Sequence, residues 1–403
     1  MNALTRVPGL ALGLALLLTG AVASTHAAGP STRGRDTALA AQGKHIFRYD
    51  TFGDEAKWTD LLRMHEVIRT AVDPVTALSV GLKVDVDALP PSVRKGIVKG
   101  TVDLRSPATT VALLKLDAVV GLKGTVEKVN GRDTLTRVGI TCALCHSTVD
   151  DSFADGIGRR LDGWPNRDLD PGKIIALSPA VQEPEKALLR AWGPGMYDPR
   201  HNVDGLSKPV VIPPAYGLAG IHSITFTGDG ADIAYWNRYV AVTQMGGLGT
   251  FEDPRLPLSI TNGTVDLVSS KLPALQAYQL SLLAPAAPAG SFDAAAAARG
   301  KLVFEGDGEC ASCHTGSTFT DANTRLHPPE DSMAEPEFPS YASRSATGEY
   351  RTTPLRGIWQ HPPYFHDGSA STLEDVARIY NTRKSLGLTD EQIADLVHYL
   401  RSL

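Results

Sequence analysis

The chain has 403 residues, 42% hydrophobic and 21% charged, a composition that suits a globular protein with two or three domains and real apolar cores. Its formal charge of -5 is spread without long runs of one sign. That excludes a basic stripe for nucleic acid and a polybasic patch for a membrane surface, and leaves proteins and small molecules as partners.

Residues 1–28 read as a secretory signal peptide. Arg6 supplies the positive start, Val7 to Val22 is an apolar run, and small residues around Ala21 to Ala28 offer cleavage sites. The apolar run falls short of the ~20 residues that span a bilayer, so the mature chain is expected to begin near Ala28 or Gly29 without a transmembrane segment. No cysteine stands at the end of the signal to carry a lipid. The expected location is the periplasm, an oxidising compartment where four cysteines would ordinarily pair.

Their spacing points elsewhere. All four fall in two copies of one pattern, Cys142-Ala143-Leu144-Cys145-His146 and Cys310-Ala311-Ser312-Cys313-His314. This is the attachment signature of c-type haem. Two thiols three residues apart reach the two vinyl groups of one porphyrin, and the adjacent histidine ligates the iron from the proximal side. Two copies that consume every cysteine argue against disulfides or zinc. Two covalently bound haem c groups are therefore expected, on Cys142 and Cys145 with His146, and on Cys310 and Cys313 with His314.

Before the second motif, Ala298-Arg299-Gly300-Lys301-Leu302-Val303-Phe304 repeats Ala41-Gln42-Gly43-Lys44-His45-Ile46-Phe47. The second motif starts six residues after Phe304, the first 95 residues after Phe47. The expected fold is mainly α, with two cytochrome c-like haem domains. The N-terminal one, 29–283, carries an insertion over about 50–138 and long irregular loops; 284–292, rich in Ala and Pro, is a linker; 293–403 is the C-terminal domain. Within the insertion, Trp58 to Val72 has helical spacing and Val111 to Val120 is a second apolar run. Asp162 to Pro171 and Met196 to Pro214 are dense in turn residues. In the C-terminal domain Asp293 to Phe304 is an Ala-rich helix, Ser371 with Glu374 forms a capping-box pattern, and Thr389 with Gln392 another.

Thr353-Pro354-Leu355-Arg356-Gly357, then Pro363-Tyr364-Phe365-His366-Asp367-Gly368-Ser369 and Thr372-Leu373-Glu374, closely resemble the bacterial dihaem cytochrome c peroxidase family, which includes MauG. The resemblance is strong over about 293–403; in the N-terminal half it covers only the haem motif and domain order. The long insertion looks more like the larger members, among which rubber oxygenases also fall. The family's C-terminal haem takes a far-side methionine, and the matching position here is Tyr380. A phenolate there favours ferric iron, whereas a thioether raises the potential; the alternative is a core tyrosine beside Leu373, Val376 and Ala377.

For the far side of the N-terminal haem, Met245 in Gln244-Met245-Gly246-Gly247 is the first candidate and a buried filler methionine the alternative. His201 and His222 follow, then Met196 and Met333. Glu66 and Gln244 are candidate proton-moving groups above an open iron. His366 and Asp367 lie in the family-like loop, at the haem edge or an interdomain contact. Trp164 matches the family's bridging tryptophan, with packing as the alternative, as for Trp236 and Trp359. The resemblance also implies Ca2+ between domains, for which no ligands are named. The expected function is electron transfer with a periplasmic redox protein as donor or acceptor, coupled to reduction of hydrogen peroxide or activation of oxygen. The alternative is a non-catalytic carrier or redox-complex subunit with both haems six-coordinate.

Overall fold

The computed structural model describes residues 32–333 and 338–403; the expected signal peptide lies outside them. The chain is mainly helical, and among the described residues its strands pair only as two-stranded sheets.

Both copies of the short repeat do the same job. Helix Thr32–Tyr49 packs on helix Leu272–Ser281, and helix Ala294–Glu305 packs on helix Asp390–Ser402. Mid-helix glycine costs about 1 kcal/mol relative to alanine, so it needs a reason. A Cβ on Gly43 would lie 1.8 Å from the Ala274 carbonyl oxygen, and one on Gly300 1.9 Å from that of Asp395. Only a bare Cα lets either helix pair approach this closely. One turn further on, Phe47 and Phe304 are buried. Asp293 caps its helix through the Ala296 N–H.

The stretch 50–138 builds its own core from Trp58, Ile68, Leu89, Leu114, Leu135 and Val138. The helix expected over Trp58–Val72 is not continuous. A π-helical turn, Ala56–Leu61, and a helix, Met64–Ala71, are separated at Arg63, whose φ of 55° breaks the helical path. The apolar run at Val111 is helical only as far as Lys115. The hairpin Leu122–Val129 with Arg132–Ile140 follows, turning at Asn130 and Gly131, both with positive φ; this is the residue pair that a tight two-residue hairpin selects. Its second strand runs directly into Thr141 and Cys142, so the insertion ends by presenting the first cysteine.

The capping box near residue 371 is shifted by one position: Thr372 caps the Asp375 N–H and Asp375 answers the Thr372 N–H. The Thr389 and Gln392 box forms as expected. Buried ion pairs tie 198–229 to 341–346. Arg344 reaches Asp198 at 2.9 Å and Asp204 at 2.7 Å, while Arg200 pairs with Asp229 and donates to the Tyr341 carbonyl at 3.0 Å. Removing one partner would strand a buried charge.

Gly300→Ala is expected to destabilise the protein by about 3 kcal/mol, the upper part of the overpacking range, read as a lowered urea midpoint. Ala298→Gly, two residues earlier at an exposed position, leaves the crossing untouched and serves as the comparison.

Candidate haem sites

Each haem motif holds its histidine in the same way. Nδ1 of His146 donates to the Pro213 carbonyl (3.1 Å), and Nδ1 of His314 to that of Phe319 (3.0 Å). A backbone acceptor on Nδ1 fixes the tautomer whose Nε2 carries a lone pair, the form an iron ligand requires. Burial pushes His146 down to about 4 and also lowers His314, so both rings are neutral. The four cysteines form no disulfide. Burial raises Cys142 and Cys145 to about 12 and Cys310 to about 11, which leaves them as thiols.

A cavity of about 390 Å³ opens over the second motif, with Cys310, Cys313, His314 and Tyr380 in its wall. Helix Leu373–Arg383 carries Tyr380 there. Burial first, then the two cysteines, pushes its phenol up to about 12. Other groups in the same wall have buried polar atoms without a partner among the described residues: Nε and Nη1 of Arg167, Nε of Arg351 and Nε2 of His361. A mainly apolar slot with two thiols at the wall, a histidine presenting Nε2 and unpaired buried donors fits a haem.

At the first motif, Met245 is 2% exposed and packs in a cluster with Ala143, Phe47, Val242 and Phe251, against which Cys142 also rests. It ends a π-helical turn, Val240–Met245, an irregularity often found at functional sites. Gln244 is buried and committed, accepting from the Tyr197 hydroxyl at 2.8 Å and donating to Asn202 at 3.0 Å. Tyr197 lies near Cys145.

Several sequence candidates lie elsewhere. His201 spends both ring nitrogens, on Glu185 (2.7 Å) and the Leu206 carbonyl (2.8 Å), which removes it as a ligand. His222 is exposed at the surface. Glu66 pairs with Arg63 on an exposed face, away from both motifs. Met196 packs beside Trp192. Met333 lines the second cavity rather than the first site. His366 does both things expected of it, lining that cavity and accepting from the Val211 N–H (2.8 Å), whereas Asp367 only caps the turn at Ser369. Trp164 follows Gly163, whose N–H donates to the His146 carbonyl, and meets Trp359 edge-on at 6.0 Å and Tyr216 at 6.5 Å. Trp236 stacks on Tyr239. For calcium, the one donor cluster among the described residues is Cys313, Asp321 and His327; a thiol and an imidazole are poor partners for a cation that takes oxygen ligands.

Sequence reasoning missed Asp54. It is fully buried, with Oδ2 accepting from the Ile140 N–H at 3.1 Å and Oδ1 unpartnered, and it lies near Cys142. Burial raises it to about 9. Nothing in the residues around Asp54 signals this, because its burial comes from the hairpin folding over it.

Comparison with known proteins finds likeness over parts of the chain. A family model described as RoxA-like, cytochrome c-like matches residues 348–385. Cytochrome-c peroxidase IdrP1 of Denitromonas iodatirespirans is 26% identical over 151 residues, 27% of this chain, and the chain spans 40% of that relative. A MauG-like protein associated with microbial copper homeostasis is similar at TM-score 0.34 and 21% identity, over 50% of this chain and 75% of that one. A variant of the diheme peroxidase BthA from Burkholderia thailandensis gives 0.35 and 17%, over 66% and 81%; overlays at this level carry no functional argument. Over these stretches the chain is similar to RoxA-like cytochrome c and to a cytochrome-c peroxidase, and haem c is its cofactor class.

Asp54→Asn tests the buried acid. The native carboxyl holds its proton up to about 9 while the unfolded one releases it near 3.8. The folded state thus binds more protons in that window, and stability falls as pH rises through it, by up to about 1.4 kcal/mol per unit. The variant should match the wild type near pH 4 and exceed it at pH 8 in urea denaturation; equal slopes would show that Asp54 is ionised in the fold.

Proposed function

We propose that the chain is a periplasmic dihaem c-type cytochrome that transfers electrons and couples them to peroxide reduction or haem-based oxidation. One haem is assigned to Cys142, Cys145 and His146, the other to Cys310, Cys313 and His314. Two cytochrome c units, 29–283 and 293–403, would carry them; the paired glycine crossings support this division. The periplasmic assignment rests on residues 1–28.

The observation that carries the enzymatic reading is Tyr380, which faces the second cavity where the family places a methionine. Haem iron supplies one-electron chemistry and, with an open coordination position, activation of peroxide or oxygen. His146 and His314, each with Nδ1 donating to a backbone carbonyl, would present Nε2 as the iron ligand. Tyr380 would supply an oxygen donor that favours the ferric state. Trp164, between the His146 segment and the aromatic wall at Tyr216 and Trp359, is assigned to the path between the haems. Asp54, protonated and near Cys142, is assigned as a proton donor for that site. A periplasmic redox protein would exchange electrons with the pair.

A second reading has its own support. Met245 stands in the same cluster as Ala143 and Cys142, and a thioether on the first iron would make the protein an electron carrier.

Low-temperature electron paramagnetic resonance separates the two, on the oxidised protein and after one electron equivalent. A high-spin ferric signal in either state is the expected result; low-spin signals alone in both would sink the enzymatic reading. Tyr380→Phe should change the ferric spectrum of the C-terminal haem and raise its midpoint potential. If neither moves, Tyr380 is a packing residue.

A further inference from the structure

Most buried arginines of this chain face a carboxylate: Arg160 faces Asp85, Arg200 faces Asp229, and Arg344 faces Asp198. Arg167 and Arg351 do not. Nη2 of Arg167 donates to the His361 carbonyl (2.9 Å), and Nη1 of Arg351 to the Ser223 carbonyl (2.8 Å). Nε and Nη1 of Arg167 and Nε of Arg351 are buried with nothing to donate to among the described residues. Beside Arg167, His361 is 6% exposed and its Nε2 is likewise unpartnered. All three side chains line the C-terminal cavity. Burying cations without a counter-charge is costly, several kcal/mol per ion, so the cavity is built for an anion with several acceptor oxygens.

We propose that Arg167, Arg351 and His361 form a carboxylate-binding pocket whose occupants are the two propionates of the C-terminal haem. This rests on the assignment of that haem to Cys310 and Cys313. Thioether bonds hold the vinyl edge of the porphyrin at the cysteines, and the propionates leave from the opposite edge. The wall divides in the same sense. Tyr380 feels the two cysteines, whereas Arg167 acts on His361, Tyr216 and Tyr364.

The pocket also joins the two haem segments. Arg167 follows Asn166, whose N–H donates to the Cys145 carbonyl (2.9 Å). A residue anchored at the first motif thereby supplies positive charge to the second haem. Cations at the propionates disfavour the extra positive charge of ferric iron and raise the potential.

The test uses holoprotein matured with haem. Arg167→Gln and Arg351→Gln are each expected to shift the reduction equilibrium of the C-terminal haem about tenfold toward ferric, 59 mV for a one-electron couple. That wave is assigned by its displacement in His314→Ala; the N-terminal wave should stay in place. The propionate-bending bands in resonance Raman spectra should shift in the same variants. Arg→Lys variants, which keep the charge but not the planar fork, should retain most of the potential and still shift those bands. Intact haem content with unchanged potential and unchanged bands overturns the pocket, as does a shift confined to the N-terminal haem. Wild-type protein without haem on the Cys310–Cys313 peptide, read by mass spectrometry, would instead overturn the haem assignment itself.

Discussion

Backbone-to-backbone contact between the first and last helices governs each half of this molecule. At Gly43 and Gly300 the facing carbonyl oxygens of Ala274 and Asp395 occupy the space of a side chain. With the helices this close, Phe47 and Phe304 seal the core beneath. Phe304 stands 6.3 Å from the His314 ring, so the crossing also sets one wall of the second haem site. Glycine gives up helix propensity here and the approach of the two helices offsets it, which is why the same tetrad of spacing recurs in both halves.

The segment Val210–Leu218 touches both haem motifs' surroundings. Pro213 accepts from His146 at the first motif while Pro213 and Pro214 line the cavity of the second. Val211 donates to the His366 carbonyl, and the Tyr216 hydroxyl to that of Gly357 (3.0 Å). Two prolines suit this position: they fix φ, and they have no N–H to leave unsatisfied between two apolar pockets. The partner of the first motif's histidine and the wall of the second motif's cavity thus share a few residues of extended chain. Arg344 and Arg200, clamped to Asp198 and Asp229, hold this arrangement through buried ion pairs.

Much of the site was legible because haem attachment is a local code. Cysteine and histidine spacing, the helix repeat and the capping box at Thr389 and Gln392 all act within a few residues. Tyr380 was found by its place in a helix after a recognisable loop, and its side chain does line the cavity. Long-range readings fared less well. His201 looked available until Glu185, sixteen residues away in sequence, took its Nε2. Glu66 looked like an acid until the helix turned it to solvent, and the break at Arg63 came from a backbone angle that periodicity does not report.

By itself the sequence determined the cofactor chemistry, the helical class and the paired helices, since each is written in neighbouring residues and their spacing. Tertiary structure alone decided which polar groups are left without partners. Asp54 becomes a protonated acid only when the hairpin closes over it, and Arg167 and Arg351 become unpaired cations only when distant segments enclose them in one cavity. Burial and pairing depend on what comes near in space, and charge acquires its energetic meaning from that enclosure.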